Sequence, residues 1–383
     1  MTNKLIILPG ATNVLGGTLV TLSLLLSGIK LCNLEDRVRV LAPVGSFLET
    51  YLRTHGQGDY LQPIPANSEP EFIRKSLQWV GRQPTEWALL MDNCVAKELM
   101  SVLVPRAVSL RLSQRPIYFF FHDLALSYNP VGFVIRKLFF SLLAPVGMCN
   151  SKFTAGHIQQ FVPDIQGILY QPVDFQKFND TPLLEPPANL KAIVESDYKI
   201  MLTPSRLNQP GIVNDKNLRA LIPVLAKLKE MGEKYHGVII GDDTSSDGSH
   251  TRDLQQQAEA LGVSDRFTIL PPSLEIESYY KCADVVVTLA PREPFGRTIV
   301  EAIACGSPVV GSNSGGIGEI LSNFAPQWTV NPETPQAVAE KIVRVVDNQK
   351  TPKLLAAGQA WIQQNCSKVD YATRLLAITN TIQ

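Results

Sequence analysis

The feature that most constrains this fold is an alternation, found in both halves of the chain, of short apolar runs with longer helical patterns. KLIIL (4–8) and PIYFFFHD (116–123) are such runs in the first half, and DYKIMLTP (197–204) and DVVVTLAP (284–291) in the second. Apolar or β-branched runs of this length, each followed by a helical pattern, are typical of βαβ units in a parallel sheet. The sequence therefore predicts an α/β protein.

The alternation stops once, in the proline-rich and charged stretch DTPLLEPPANLKAIVES at 180–196. A chain of 383 residues is also longer than a single domain usually is. We predict a Rossmann-like N-terminal domain at 1–180, a linker at 181–197, a second Rossmann-like domain at 198–360, and a C-terminal helix at 361–383 that returns to the first domain. The two doubly wound domains are expected to face a central cleft, with ligands outside the carboxyl ends of the strands.

Composition excludes some classes of function. Lys plus Arg and Asp plus Glu both number 35, and this zero net charge argues against non-specific nucleic-acid binding. Six cysteines without CxxC pairs indicate neither a zinc site nor a disulfide framework, so we expect a cytoplasmic protein with reduced thiols. Neither long apolar stretch reaches membrane-spanning length. Residues 131–146 are interpreted as a core helix with two solvated charges; the alternative is an amphipathic helix in peripheral contact with the inner face of a membrane.

Two features of the first half lie where ligands bind. Gly16 and Gly17 follow the first strand and open a helix, where glycine lets backbone approach a ligand and helix N–H groups favour an anion. This is neither a Walker motif nor GxGxxG, and an ordinary glycine-rich turn is the alternative. His122 follows an apolar strand, and the adjacent Asp123 is expected to hold its tautomer. A purely structural histidine is the alternative.

Two loops of the second half carry charge. Arg206 lies just past a strand and Lys216 just before a helix, a placement that can clamp a diphosphate. The alternative is an exposed loop with ordinary charges. GDDTSSDGSH at 241–250 is interpreted as a solvated loop rather than a metal site.

The stretch REPFGRTIVEAIACGSPVVG at 292–311 is the most informative for function. It predicts a helix over 297–305, ended by Gly306 as its C-cap, with Glu293 in the preceding loop and Glu301 one turn inside. Sugar hydroxyls donate to carboxylates, and phosphates accept from the N–H groups of 296–298. One ligand that carries both a sugar and a phosphate would use the whole segment.

The segment EPFGRTIVEAIACGSPVVGSNSGGIGEIL resembles the signature of the retaining glycosyltransferases of family 4 (glycosyl transferases group 1), which have the GT-B fold. The resemblance spans nearly the whole chain. Other segments similar to the family are the glycine pair at 16–17, Asn150-Ser151, PVDFQKF, the pair Arg206 and Lys216, VIIGDD and RFTILPP.

The resemblance implies transfer of a hexose from a nucleotide sugar to an acceptor, which could be a glycan, lipid-linked or a small molecule. It implies a donor site in the C-terminal domain and an acceptor site in the N-terminal domain. It also implies front-face attack with retention of configuration, without a metal or a cofactor. The implied catalytic residues are His122, Arg206, Lys216 and Glu293. The implied donor-binding residues are Gly16, Gly17, Arg206, Lys216, Leu270, Pro271, Glu293, Phe295, Gly296, Arg297, Thr298 and Glu301.

In the implied arrangement, Glu301 binds the ribose and Glu293 the donor sugar, while Arg206 and Lys216 neutralise the leaving diphosphate. The nucleobase lies near 270–272. The chain departs from the family where Asn217 replaces a common glycine and where Arg297 replaces a residue that is often apolar. A nucleotide-sugar epimerase or hydrolase on the same fold, or a non-catalytic binding relative, remains as an alternative.

Overall fold

The structure, a computed structural model, describes residues 3–14, 16–126, 129–211 and 215–382. It divides into a first unit, Met1–Pro172 with Asn365–Gln383, and a second unit, Val173–Gln364. The predicted boundary at 180 and the predicted linker at 181–197 both lie inside the second unit. The reason is that the chain beyond Pro172 is tied to that unit: Lys177 Nζ donates to the Leu274 carbonyl (2.5 Å), and the Phe178 ring packs edge-on against Tyr280.

The strands are short, and those in the interior of each sheet are nearly all buried, whereas the edge strands are partly exposed. In chain order they are β1 (Leu5–Pro9), β2 (Val38–Pro43), β3 (Leu61–Ile64), β4 (Ala88–Asp92), β5 (Ile117–Phe121), β6 (Val146–Cys149), β7 (Ile165–Ile168), β8 (Lys199–Pro204), β9 (Tyr235–Ile240), β10 (Phe267–Leu270), β11 (Val285–Thr288), β12 (Val309–Ser312) and β13 (Thr329–Val330).

Helices connect almost every strand to the next. They are α1 (Gly17–Leu31), α2 (Phe47–Thr54), α3 (Glu69–Val80), α4 (Lys97–Leu112), α5 (Pro130–Leu143), α6 (Lys152–Ile158), α7 (Lys191–Val194), α8 (Leu221–Glu230), α9 (Ser249–Ala260), α10 (Ile276–Cys282), α11 (Arg297–Ala304), α12 (Gly315–Leu321), α13 (Pro335–Asp347), α14 (Thr351–Asn365) and α15 (Lys368–Ile378).

The first unit is built on a seven-stranded sheet in the order β3-β2-β1-β4-β5-β6-β7. Every adjacent pair is parallel. Strand β5 shows why its sequence is apolar throughout: Phe119 and Phe121 enter one buried cluster, whereas Tyr118 and Phe120 enter another. Successive side chains of a strand point to opposite faces, so the two clusters lie on the two faces of the sheet.

The last helix completes the first unit. Its side chains Leu375 and Leu376 lie in the same cluster as Leu22 and Leu26 of α1. A Cβ on Gly28 would lie 2.0 Å from the Lys368 carbonyl, so only glycine allows α15 to approach α1 this closely.

The second unit has a six-stranded parallel sheet in the order β10-β9-β8-β11-β12-β13. The chain moves outward from β8 through β9 to β10 and then crosses back to β11. The strand order therefore reverses between β8 and β11, and ligands of doubly wound sheets bind beyond the carboxyl ends of the strands at such a point. The predicted α/β class with two Rossmann-like domains is confirmed.

The sequence pattern missed β3 and α3. β3 carries Pro63 in LQPI and lies at the edge of its sheet, where a strand tolerates proline because one side needs no ladder hydrogen bond. Pro63 interrupts the apolar run that identifies the other strands. α3 is capped by Ser68, whose hydroxyl accepts from the Glu71 N–H.

The structure bears both on membrane-spanning helices and on disulfide bonds. Within the described ranges, no helix is both long and apolar enough to cross a bilayer. All six cysteines lie in those ranges as free thiols, and Cys94, Cys149, Cys305 and Cys366 are buried.

Candidate functional site

Two loops meet at the carboxyl ends of β8 and β11, the adjacent strands at which the strand order reverses. Lys216 Nζ, in the loop after β8, donates to Glu293 Oε2, in the loop after β11, at 2.6 Å. Both side chains are about three-quarters buried, with exposed fractions of 26% and 21%. The structure thus brings together two predicted site residues that lie 77 positions apart in the chain.

Asn217 fixes the position of Lys216. Its backbone is left-handed (φ 52°, ψ 36°), a conformation that asparagine tolerates better than most residues. Its side-chain Nδ2 donates to the Leu289 carbonyl (3.2 Å), and its N–H donates to Asp215 Oδ1 (2.8 Å). The departure from a glycine at this position therefore preserves the turn and adds a bond between the two loops.

The Glu293 loop rests on the start of α12. The Gly316 N–H donates to the Glu293 carbonyl (2.7 Å), and a Cβ on Gly316 would lie 2.4 Å from the Phe295 carbonyl. Gly315 has φ 71°, and a Cβ there would lie 2.9 Å from the Glu293 carbonyl. This second glycine pair therefore lets the carboxylate-bearing loop approach the helix closely.

Helix α11 starts directly after that loop. Its N-cap is Gly296 (φ 101°), which makes no side-chain cap bond, and its first residues are Arg297 and Thr298. Phe295 is 2% exposed, so its side chain belongs to the core. The helix ends at Ala304, one residue before the predicted end, and Gly306 follows with φ 85°. The helix start is a place where backbone N–H groups and the helix dipole favour a negative charge.

Glu301 lies one turn inside α11 and is buried. Tyr280 Oη donates to its Oε2 (3.1 Å), and Arg297 Nη1 lies 3.7 Å from its Oε1. Burial raises the pKa of Glu301, and the nearby Arg297 opposes that rise. The arginine that departs from the family pattern is therefore placed to hold this carboxylate with its side chain.

Other predicted donor-site residues make no such contact. Arg206 is exposed, and no described residue forms an ion pair or hydrogen bond with its side chain. Leu270 ends the edge strand β10, where its carbonyl accepts from the Gly241 N–H (3.1 Å). Pro271 follows on the surface. These residues share the carboxyl edge of the sheet with Glu293 and Lys216 without touching them.

His122 lies in the first unit at the end of β5, and it is buried. Its Nε2 lies 2.8 Å from Asp92 Oδ1 at the end of the adjacent β4, and its Nδ1 lies 3.2 Å from Gln171 Nε2. The prediction that Asp123 holds the tautomer is wrong. Asp123 instead accepts from Asn93 Nδ2 (3.1 Å) and from the Ala125 N–H (2.7 Å), because its side chain turns back onto its own loop.

The contacts of His122 define its tautomer. An amide NH₂ can only donate, so Nδ1 accepts from Gln171 and the ring proton lies on Nε2, facing Asp92. The ring also stacks on Phe120 at 4.5 Å between centroids. Sequence reasoning missed Asp92 and Gln171. For Asp92 a signal was present, since an acidic residue ends the apolar run WALLMD one strand before His122.

Glycine at position 16 is not required by the protein's own packing. Gly16 has an extended backbone (φ −155°) that any residue can adopt, and a Cβ there would meet no atom within 4 Å. Gly17 is the exposed first residue of α1. The space in front of this helix start is therefore open to a ligand.

The acidic loop after β9 serves its own helix. Asp243 accepts from the N–H and hydroxyl groups of both Ser245 and Thr251, which ties the loop to the start of α9. In the part of the chain that the structure describes, no group of three or more His, Cys, Asp or Glu side chains could hold a metal ion.

Residues 191–359, most of the second unit, match the family model "Glycosyl transferases group 1". The chain is 28% identical over 152 residues to the D-inositol 3-phosphate glycosyltransferase of Salinispora tropica. The aligned region covers 39% of this chain and 32% of that protein. The chain is 27% identical over 155 residues to the 2-deoxystreptamine glucosyltransferase of Streptomyces kanamyceticus, covering 39% and 38%. These matches span only about a third of the length of the curated relatives.

Solved structures extend the similarity to the whole chain. Anabaena Alr3699/HepE in complex with UDP superposes with a TM-score of 0.77 at 20% identity, covering 99% of this chain and 100% of that one. HepE has also been solved with UDP-glucose. At this identity the likeness establishes the fold, and the predicted GT-B fold is confirmed. Together, the comparisons support the group 1 glycosyltransferase family through the second unit of this chain, and the GT-B fold for the chain as a whole.

Proposed function

We propose that this protein is a retaining glycosyltransferase of family 4 that transfers a hexose from a nucleotide sugar to an acceptor hydroxyl. The observation that carries the proposal is the Lys216–Glu293 contact (2.6 Å) beside the start of α11. These groups lie at the point where the strand order reverses. The cation and the helix N-terminus complement the negative charge of a diphosphate, and the carboxylate can accept hydrogen bonds from sugar hydroxyls.

The proposed donor is a uridine diphosphate sugar, because HepE, which has the same fold, is solved with UDP and with UDP-glucose. On donor binding, Lys216 exchanges Glu293 for the diphosphate, and the exposed Arg206 joins it there. Glu293 then becomes free to accept hydrogen bonds from the sugar hydroxyls. Glu301, held by Tyr280, accepts from the ribose hydroxyls. The nucleobase lies beside 270–272 at the sheet edge.

The proposed chemistry is front-face substitution at the anomeric carbon. The bond from that carbon to the phosphate oxygen breaks while the acceptor oxygen bonds on the same face, and the acceptor proton passes to the leaving phosphate. Arg206, Lys216 and the N–H groups at the start of α11 stabilise the negative charge on the leaving diphosphate. These groups take the part that a metal ion plays in other transferases, so we propose a metal-independent enzyme without a cofactor.

The first unit is proposed to bind the acceptor, with His122 as its candidate catalytic residue. Both ring nitrogens of His122 are engaged by Asp92 and Gln171, so these two residues position the ring for that role. The curated relatives are named for D-inositol 3-phosphate and 2-deoxystreptamine, both cyclic polyhydroxylated acceptors. Such compounds are the first acceptors to test. The free thiols fit a reducing compartment, and we place the enzyme in the cytoplasm.

The test is a screen of the purified chain against UDP-, GDP- and ADP-sugars with a panel of polyol acceptors, read as acceptor-dependent nucleotide release. Glu293→Ala and Arg206→Ala should each lower turnover about 100-fold or more, since each removes stabilisation of the transition state. Lys227→Met is the control, because Lys227 forms an equally short ion pair (2.6 Å) with Glu230 on the exposed face of α8. The anomeric configuration of the product, read by NMR, tests retention.

Other results of this screen would each indicate a different function. Nucleotide release that does not depend on an acceptor indicates a hydrolase, and sugar isomerisation without release indicates an epimerase. Donor binding without turnover across the panel indicates a binding relative. Wild-type rates in both Glu293→Ala and Arg206→Ala would overturn the site.

A further inference from the structure

One surface of the first unit exposes an aliphatic stripe that the donor chemistry does not use. On α5, Val131, Val134, Ile135 and Leu138 are 61%, 62%, 37% and 49% exposed. Their spacing of i, i+3, i+4 and i+7 puts them on one side of the helix. A surface helix ordinarily turns such a stripe toward the core, so this stripe needs a separate explanation.

The rest of α5 shows that the exposure is built into the fold. Phe139, Phe140 and Leu143, on the other side of the helix, are buried in the core. Arg136 donates from Nη1 to the Ala125 carbonyl (2.8 Å) and from Nε to the Val95 carbonyl (3.2 Å). The prediction of two solvated charges on this helix is therefore wrong for Arg136, which anchors α5 to neighbouring loops.

The neighbouring helix extends the stripe. α4 packs beside α5, and Arg111 Nη1 near its end reaches the Ser141 carbonyl of α5 (3.5 Å). On α4, Val108 is 46% exposed and Leu112 is 75% exposed. We call the resulting surface the aliphatic face; its members are Val108, Leu112, Val131, Val134, Ile135 and Leu138.

The charge around the aliphatic face has one sign. The basic side chains of α4 and α5 are Lys97, Arg106, Arg111, Arg136 and Lys137, and the acidic one is Glu98. Because Arg136 is bonded to loop carbonyls, it is left out of the sum, and four positive charges less one negative give +3 for the two helices, whereas the whole chain has a net charge of zero. Lys137 is exposed and flanks the stripe. This local surplus selects an anionic partner.

We propose that the aliphatic face binds an anionic lipid surface. Aliphatic side chains on one side of a helix, with Lys and Arg beside them, are what an interfacial helix buries among acyl chains and pairs with anionic headgroups. A second copy of the chain fits less well, because a two-fold interface would bring the same positive side chains together. The inference rests on these two helices and does not depend on the transferase activity.

Vesicle co-sedimentation of the intact protein tests the proposal. Pure phosphatidylcholine vesicles are compared with vesicles in which roughly one third of the lipid is phosphatidylglycerol, at about 0.1 M and about 1 M salt. The wild type should sediment with the anionic vesicles at low salt and be released at high salt. The double variant Val134→Ser/Leu138→Ser and the single variant Lys137→Glu should each weaken binding at least about fivefold.

Matched controls separate this from non-specific adhesion. Leu184→Ser removes a fully exposed leucine of the second unit (102% exposed) and should leave vesicle binding unchanged. Each substituted residue is exposed at the surface, and circular dichroism checks that each variant is folded. Failure of the wild type to sediment with anionic vesicles would overturn the proposal, as would face variants that bind like the wild type. A change of oligomeric state in the face variants, with vesicle binding unaltered, would identify a second copy as the occupant instead.

Discussion

His122 shows how much of a residue's role depends on its neighbours. In sequence it is a single histidine after an apolar strand, beside an aspartate. In the fold its partners are Asp92 and Gln171, which lie 30 and 49 positions away. A ring held on both sides can neither rotate nor exchange tautomers without breaking a buried hydrogen bond.

The tautomer of His122 gives a direct prediction. Because Asp92 accepts on one side and Gln171 donates on the other, ¹⁵N NMR at neutral pH should show the proton on Nε2 and a bare Nδ1. Gln171→Glu replaces the donor with a second acceptor, so Nδ1 should carry a proton in the variant. A proton on Nδ1 in the wild type, or a ¹⁵N pattern unchanged by the substitution, would contradict this arrangement.

Glu301 gives a prediction about pH. Burial raises its pKa above the ordinary 4.5, so in the folded protein its ionised form is disfavoured. The favourable contribution of Glu301 to stability is present below pH 4.5 and is lost as the pH rises through the folded-state pKa. Glu301→Gln mimics the protonated form, and it should therefore melt above the wild type at pH 7 but not at pH 4.

Glu301→Gln should also bind nucleotide more weakly than the wild type, because ribose hydroxyls donate more strongly to a charged acceptor. We expect UDP affinity to fall about tenfold in Glu301→Gln at pH 7, measured by calorimetry. Wild-type affinity should fall toward that of the variant as the pH drops through the pKa of Glu301. An unchanged affinity would remove Glu301 from the ribose role, and an unchanged melting temperature would show that its ionised form is not disfavoured.

At the scale of elements, two glycine pairs at helix starts serve different purposes. Gly315 and Gly316 lie in contact with the Glu293 loop, where an added Cβ would meet backbone atoms. Gly16 faces open space with an extended backbone. Both pairs follow a strand in sequence, so only their surroundings distinguish packing from ligand access.

Alanine at each pair tests this distinction. Gly316→Ala should lower the free energy of unfolding by about 1–3 kcal/mol, because the Phe295 carbonyl must move away. Gly16→Ala should change it by less than about 0.5 kcal/mol, yet reduce transfer, because the methyl group occupies the approach to the helix start. Chemical denaturation and turnover measured on both variants give the comparison. A destabilised Gly16→Ala, or a fully stable Gly316→Ala, would reverse the assignment.

At the scale of the whole molecule, the chain returns to the unit in which it started. α15 buries Leu375 and Leu376 in the same cluster as α1, although α1 and α15 are separated by the entire second unit. The first unit therefore cannot complete its core until α15 has been made.

A core substitution in α15 tests this dependence. Leu376 is fully buried, so Leu376→Ala should destabilise the first unit by about 2–5 kcal/mol through lost burial and the cavity left behind. Leu31→Ala, at a leucine of α1 that is 59% exposed, is the matched control and should stay within about 0.5 kcal/mol. Urea denaturation followed by fluorescence measures both. Equal stability of the two variants would show that α15 contributes little to the core.

Sequence patterns alone predict the α/β class, the two Rossmann-like halves and the positions of Glu293, Lys216 and Glu301 near strand ends and a helix start. These are local properties: side-chain periodicity and the placement of glycine and proline follow from a few consecutive residues. Three features became visible only in the folded chain: Lys216 pairs with Glu293, Asp92 rather than Asp123 holds His122, and the chain from Val173 belongs to the second unit. Each of these contacts joins residues far apart in the chain, and which distant strand ends and side chains meet is set by the packing of the whole sheet.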